Sequence, residues 1–349
     1  MPRSDRHPAQ VLAAWGLEDA AWRELAGGHI NRTWRLEHAR GRFALQWLNP
    51  IFAPELHLDI AAVTARLAAR GLLTPRLVPT RSGALWAVDG DGEVWRLWTW
   101  IEGRTLLAAD GPARCVAAGR LLGAFHRALW DCDHRFHFGR SGVHDTPAHL
   151  AGLQQALVEH AGHRLFDRVE ALAAAIAAQA AGLELARGLV PRLVHGDPKI
   201  ANILFGPHGR ALCLVDLDTL ARMPLPLELG DALRSWCNPA GEDRSAALRA
   251  DYFAAALTGW AGAIGEGPTA AERQALVGCC EQIALELAAR FCADALRESY
   301  FAWDRRRYGS AAEHNLERAA AQLALARSIR EQRRSLERIA ARAWRQAHD

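Results

Sequence analysis

Apolar positions along the chain change their period once, near residue 101, and the change separates two kinds of element. Before it, short apolar runs alternate with polar residues and turn formers. Residues 8–26 read as a short amphipathic helix and its exit. Gly27-Gly28 then opens two runs, His29 to Leu36 and Arg42 to Leu48, patterned as a hairpin of two or three strands. Behind Pro54, the residues Leu56, Ile60, Val63 and Leu67 recur every three or four positions until Gly71, which predicts one helix. Leu72 to Val88 returns to short strands around Thr80-Arg81-Ser82-Gly83. Asp89-Gly90-Asp91-Gly92 has the composition of a hairpin turn, and Glu93 to Trp100 reads as a further strand.

Beyond Glu102-Gly103 the helical period takes over. Ala113–Trp130, His149–Glu159, Leu165–Leu185, Ser245–Trp260, Thr269–Leu296 and a long segment from Ala311 all carry it. Two short apolar runs, Leu193-Val194 and Ala211 to Val215, interrupt the helices, and each leads into a polar motif. The pattern predicts an α+β chain of two lobes. Residues 1–100 form a β-rich lobe with one helix, and residues 101–349 form a larger, mainly helical lobe.

Composition narrows the class. The chain has 349 residues, 50% of them apolar and 23% charged, which suits one large or two modest folded cores and excludes a disordered chain. A net charge of +3 is too small to argue for nucleic acid as a partner. The first residues lack an apolar signal region, and the alanine-rich stretch Ala171 to Ala181 is too short to span a bilayer. No membrane partner is therefore expected, and the cytoplasm is the expected compartment. Seven cysteines without a Cys-x-x-Cys pair are expected to be free thiols, not a disulfide framework or a zinc site. The histidines at 134, 137, 144 and 149, with Cys132, show no metal-site spacing. Residues 327–345 carry seven arginines against two glutamates and read as a terminal helix docked by Ile329, Leu336, Ile339 and Trp344.

Lysine usage changes the picture most. Lys199 is the only lysine in the chain, and it stands inside His195-Gly196-Asp197-Pro198-Lys199-Ile200-Ala201-Asn202. Asp216 and Asp218 follow the next apolar run. Phosphoryl transfer asks a protein mainly for positioning and charge neutralisation. One carboxylate must take the acceptor's proton, a cation must face the migrating phosphoryl group, and oxygen ligands must hold Mg²⁺. The segment offers these in order: Asp197 as base, Lys199 at the phosphate, and Asn202 with Asp216 on the metal. Taken singly, Asp197 and Asn202 would read as turn caps, and Lys199 as a solvated loop residue.

The segment resembles the phosphoryl-transfer motif of the aminoglycoside phosphotransferase and choline kinase superfamily. Other stretches are similar to bacterial N-acetylhexosamine 1-kinases: GGHINRTW (27–34), FALQWLNPIF (43–52), VWRLWTWIEG (94–103), LLGAFHRALWDCD (121–133), VHDTP (143–147), LELGDALRS (227–235), ARFCADALRESYF (289–301) and EHNLERAAAQLALA (313–326). The resemblance implies a protein-kinase-like fold, with a small nucleotide-binding lobe and a larger catalytic and acceptor-binding lobe. It implies ATP and Mg²⁺ as cofactors and a small-molecule hydroxyl as acceptor. The anomeric hydroxyl of an N-acetylhexosamine or a related sugar leads. An aminoglycoside or amino-alcohol kinase is the alternative, and a catalytically inactive binding module is the alternative of another class.

Carried over residue by residue, Gly27 and Gly28 would cover the phosphates, with His29 and Asn31 near the sugar. Trp98-Thr99-Trp100 would be the hinge whose backbone meets adenine. Asp197, Arg290 and Tyr300 would touch the acceptor, and His144 and Asp145 would border its pocket. His195 would brace the catalytic loop, and Gly230-Asp231 would open a helix and hold that loop from below. Three departures stand out. Gln46 occupies the place of the strand lysine of protein kinases, His-Gly-Asp-Pro replaces the His-Asn-Asp-Thr of the sugar kinases, and Arg290 and Tyr300 are one residue closer than in them.

Overall fold

In three of the early strands every second side chain is bulky and apolar, and these side chains meet on one face of a single sheet. A computed structural model describes residues 8–25, 31–139, 143–185 and 188–348. In it the strands β1 (Ala21–Glu24), β2 (Arg32–His38), β3 (Gly41–Trp47), β4 (Ala87–Val88) and β5 (Val94–Thr99) pair antiparallel in the order β1-β2-β3-β5-β4. Trp34, Leu36, Leu45, Trp47, Trp95 and Leu97 pack there against Val11, Leu12, Trp15 and Leu17. The helix α1 (Leu56–Ala69) forms as its apolar spacing predicts. Asp89 makes the β4–β5 turn by accepting from the amides of Asp91 and Glu93 and from the Trp95 indole.

Two expectations for this lobe fail. Residues 8–26 hold two short 3₁₀ turns, Pro8–Gln10 and Leu12–Trp15, in place of an amphipathic helix. Gly16 ends the second turn with φ 64°, and the chain leaves it as the edge strand β1. Between Leu72 and Val88 the only strand is β4, joined by a single bridge from Leu77 to Trp98. Isolated apolar residues there dock singly and do not pair as ladders.

The chain divides into two compact units. One runs to Glu102 and takes in Asp131–Gly139; the other comprises Gly103–Trp130 and the chain from Arg140. The second unit contains α2 (Pro112–Leu129), α3 (Thr146–Glu159), α4 (Phe166–Ala180), α5 (Leu225–Trp236), α6 (Ala250–Ile264), α7 (Ala270–Arg297) and α8 (Ala311–His348). Two small antiparallel ladders lie among them, β6 (Pro191–Val194) with β9 (Ala221–Pro224) and β7 (Ile203–Phe205) with β8 (Ala211–Leu214). A capping box of Thr269 and Glu272 starts α7. All seven cysteines are free and six are buried, and burial pushes the thiols of Cys115, Cys213, Cys279 and Cys292 up to about 12. Among the described residues no helix is long and apolar enough to cross a membrane.

The apolar period did not single out α5, and the resemblance implied a helix opening only at Gly230-Asp231; the helix starts five residues earlier, at Leu225. Pro226 sits in the first turn, where its missing N–H costs nothing, and Gly230 lies against the backbone of α7. A Cβ at Gly230 would come within 2.7 Å of the Cys279 carbonyl oxygen.

Helices α2 and α6 cross on glycine in the same way. A Cβ at Gly119 would lie 2.1 Å from the Ala256 carbonyl oxygen, and one at Gly259 would lie 2.2 Å from that of Val116. Gly119→Ala should force these helices apart and cost about 1–3 kcal/mol. Calorimetric unfolding checks this, and an unchanged Tm would rule out so close a crossing.

Candidate active site

Strand β6 delivers the chain into His195-Gly196-Asp197, and the turn there can only be glycine. Gly196 has φ 86°, and a Cβ on it would sit 2.0 Å from the Thr219 carbonyl oxygen. The amides on this turn point into the protein, where Glu228 of α5 receives them. Its fully buried carboxylate accepts from His195 N at 3.1 Å and Gly196 N at 2.8 Å. It also pairs with His126 Nε2 at 2.9 Å. Trp260 Nε1 donates to His126 Nδ1 at 3.1 Å, so the His126 proton is on Nε2, the atom that faces Glu228.

His195 ties the turn to its neighbours. Its Nε2 donates to the Val215 carbonyl at 3.0 Å, and its Nδ1 accepts from Asp197 N at 3.3 Å. Burial outweighs the nearby acids and holds its pKa below the ordinary value, so the ring is a neutral brace.

Asp197 Oδ2 receives Lys199 Nζ at 2.5 Å and Asn202 Nδ2 at 3.1 Å, and the same Nδ2 donates to the Asp197 carbonyl at 2.8 Å. Burial would raise the Asp197 pKa, but the Lys199 ammonium overcomes it and keeps the carboxyl below its usual range. Lys199 is likewise disfavoured by burial, yet the carboxylates of Asp197, Asp216 and Glu242 together raise its pKa. The pair is ionised. Asn202 and Asp216 are brought side by side by the β7–β8 ladder, since Ile203 pairs with Leu214 and Val215 N donates to Asn202 O at 2.9 Å. Asp216 is exposed and left-handed, with φ 65°, a conformation that aspartate tolerates better than most residues. With Asn202 Nδ2 turned to Asp197, its amide oxygen and the Asp216 carboxylate form an all-oxygen donor set, which fits a hard divalent cation. Asp218, two residues further on, is buried.

This arrangement of carboxylate, ammonium and oxygen donors has the chemical groups that phosphoryl transfer calls for, and the sequence matches the phosphotransferase enzyme family over residues 21–265. The chain belongs to that family. The protein is accordingly a phosphotransferase.

Solved structures share the fold of this phosphotransferase. The aminoglycoside phosphotransferase from Alicyclobacillus acidocaldarius subsp. acidocaldarius DSM 446 is 18% identical, with 96% of this chain and 98% of that chain covered and a TM-score of 0.62. A microcompartment-associated aminopropanol kinase is 17% identical, with 94% and 97% covered and a TM-score of 0.61. Amicoumacin kinase hAmiN, in complex with AMP-PNP, Ca²⁺ and Ami, is 13% identical, with 91% and 89% covered and a TM-score of 0.59. The kinase-like architecture, a small antiparallel-sheet lobe and a larger helical lobe, is therefore that of this phosphotransferase.

The other residues singled out in the sequence fall into three groups. Gly27, Gly28 and His29 lie outside the described residues, while Asn31 Oδ1 accepts from Asn49 N at 2.9 Å. In the sheet, Trp98 is buried with its indole on Gln46 Oε1 at 3.0 Å. Thr99 N donates to the Arg76 carbonyl at 2.9 Å. Trp100 donates its own indole N–H to Glu102 at 2.8 Å. Gln46 Oε1 also receives Arg96 Nε at 2.8 Å and Nη2 at 2.6 Å, so the strand that lacks a lysine adjoins a buried arginine.

In the helical unit, the Arg290 guanidinium lies 5.9 Å from the Tyr300 ring and 5.6 Å from the Phe301 ring. Asp294 holds that turn by accepting from the amides of Ser299, Tyr300 and Phe301. His144 Nδ1 pairs with Glu286 at 3.0 Å; burial opposes its charge, but Glu286 raises its pKa, with Asp231 and Arg290 in its field. Asp145 Oδ1 accepts from Ala148 N at 3.0 Å and caps α3. In the sheet unit, Asp59 accepts from His134 and His137 and from the amides of His137 and Phe138, a loop anchor made of hydrogen bonds.

Asp231 supports the catalytic loop less directly than expected. It grips Arg234 at 2.7 Å and 3.0 Å, and the direct holds come from Glu228, from Ser235 Oγ on Ile200 N at 3.0 Å, and from Trp236 Nε1 on the Pro198 carbonyl at 2.9 Å. The sequence reading missed Glu228, although a charge among Leu225, Leu229, Ala232 and Trp236 on an apolar helix face was its signal.

Glu228→Gln removes a buried charge that four groups depend on, counting Trp260 through His126, and should cost about 2–3 kcal/mol. Burial raises the Glu228 pKa, but His126 and the amides lower it further, to a net value below the ordinary one. Its contribution is complete above the unfolded glutamate pKa and is lost as pH falls through the folded value. The Tm gap between wild type and Glu228→Gln should therefore narrow from about pH 7 to about pH 4. A gap that stays constant would mean that the charge carries no stability.

Proposed function

We propose that the protein transfers the γ-phosphoryl group of ATP, with Mg²⁺, to the anomeric hydroxyl of an N-acetylhexosamine or a related neutral sugar. The observation that carries this reading is the convergence of Lys199 and Asn202 on the Asp197 carboxylate, beside Asp216. Asp197 orients the acceptor hydroxyl and takes its proton. A carboxylate held below its usual pKa is a weak base, which suits a loose transition state in which the proton leaves late. Lys199 turns from Asp197 to the migrating phosphoryl group when nucleotide is present. The Asn202 oxygen and the Asp216 carboxylate hold the metal, which when bound neutralises phosphate charge. Gly27 and Gly28 cover the phosphates, Trp98-Thr99-Trp100 borders adenine, and His29, Asn31, Arg290 and Tyr300 face the sugar.

The electrostatics support a neutral acceptor. Asp231 and Glu242 are paired with Arg234 at 2.7 Å and 3.2 Å, and Glu286 is paired with His144 at 3.0 Å. Asp243 is surrounded by His314, Arg307 and Arg318 at 3.0–3.1 Å. A cationic acceptor such as an aminoglycoside or amino alcohol binds best to carboxylates that lack such partners. The structural neighbours named for those substrates share the fold, and the sugar reading rests on the charge pairing and on the resemblance of the outer motifs.

ADP release measured with a panel of N-acetylhexosamines, aminoglycosides and amino alcohols tests the acceptor, and turnover with the amines alone would refute the sugar. With the active acceptor, Asp197→Asn should lower kcat by roughly 10²–10⁴ while nucleotide affinity stays near wild type. A variant that keeps more than half of kcat would remove Asp197 from the base role.

Lys199 allows a second check, because it is the only ε-ammonium in the chain. ATP with Mg²⁺ should protect it from acylation, read by mass spectrometry of its peptide, and sugar alone should protect it less. Labelling that is equal with and without nucleotide would assign Lys199 no phosphate contact.

A further inference from the structure

Helices α5, α6, α7 and the end of α8 enclose a cavity of about 520 Å³, and no residue of the catalytic loop lines it. Its wall includes Leu225, Leu229, Trp260, Val277, Ala340 and Trp344. This size and apolar lining are those of a site for a drug-sized ligand. The rings of Trp260 and Trp344 stand 6.2 Å apart at 49° and make an aromatic corner. Charge is unevenly distributed around it. Arg273 lies 4.5 Å over the Trp344 ring, and Arg345 also borders the space. The acids there are engaged, Glu272 by Arg192 at 3.1 Å and Glu337 beside Arg333 at 3.9 Å. The lining carries two glutamates and two arginines, but Glu272 is taken up by Arg192 outside it, and among the described residues no carboxylate pairs with Arg273 or Arg345, so an anion is the complement.

The cavity also touches the catalytic turn through hydrogen bonds. Trp260 forms part of its wall and donates to His126, His126 donates to Glu228, and Glu228 receives the amides of His195 and Gly196. Leu225 and Leu229, on the same helix as Glu228, line the space as well. A ligand that shifts Trp260 or α5 therefore shifts the acceptors that hold the turn.

We propose that this cavity binds a small organic anion with a ring-bearing apolar body, and that its occupancy is felt at the catalytic turn through Trp260, His126 and Glu228. The site is separate from the sugar-kinase reading, and its test needs no acceptor. The full chain is titrated with 8-anilinonaphthalene-1-sulfonate by fluorescence and calorimetry, with N-phenyl-1-naphthylamine as the uncharged counterpart. One saturable site per chain is expected, about threefold or more weaker for the uncharged molecule and still occupied at saturating ATP, because a separate site is not competed for. Ala340→Phe, which fills the cavity, and Arg345→Glu, an exposed charge reversal, should each weaken it. Saturation should change amide exchange of peptide 191–202 by about threefold or more. Trp260→Phe keeps an aromatic ring but lacks the indole N–H, so the probe should still bind while that change in exchange disappears. Several weak sites, displacement by ATP, or unaltered binding in both cavity variants would overturn the site. Binding without altered exchange in the wild type, or with altered exchange retained in Trp260→Phe, would overturn the coupling.

Discussion

A loop that carries a catalytic aspartate must turn sharply, and a sharp turn leaves backbone amides without ladder partners. In this protein one carboxylate, that of Glu228, receives two such amides in a fully buried setting. An ionised carboxylate in that position would be costly alone, and hydrogen bonds from the turn and from His126 offset the desolvation. The site geometry follows from this arrangement. His195 reaches Val215 and Asn202 reaches Asp197 because the turn between them is fixed. The glycine at 196 lets the turn pass within contact of Thr219. Removing any of these parts would leave a buried polar group unpartnered.

The two halves of the catalytic segment are held by different forces. Glu228, Ser235 and Trp236 hold the part before Asn202 from a single helix, α5. The β7–β8 ladder holds the part after it and sets Asn202 against Asp216. Asp197 lies where the two constraints meet, which explains how so short a stretch fixes the four polar side chains of His195, Asp197, Lys199 and Asn202. Arg234 extends the same logic outward, since its charge is balanced by Asp231 and Glu242 while its field still reaches Asp197.

The α+β pattern and most helices were legible in the sequence because their apolar periods are long and uninterrupted. The phosphoryl-transfer segment was legible because its four polar residues are close in sequence and chemically distinct. What could not be read depends on contacts distant in sequence. The start of helix α5 was hidden because prolines flank its first residue, and only the close approach to α7 explains the glycine at 230, where the resemblance had placed the helix opening. Glu228 stayed hidden because its partners are His126 and the loop 32 residues before it. Residues 8–26 misled for the opposite reason. Their apolar positions fit a helix, but Gly16 turns the chain left-handed and the segment packs as a cover on the sheet.

The left-handed backbone at Asp216 has a consequence for how this site can drift over generations. Only glycine, asparagine and aspartate occupy that conformation at low cost. Most substitutions there would strain the backbone as well as remove a carboxylate, so they are selected against twice. The accessible path out of catalysis runs through asparagine or glycine, which spare the fold. At position 216 itself, drift that spares the fold is therefore confined to a very short set of residues.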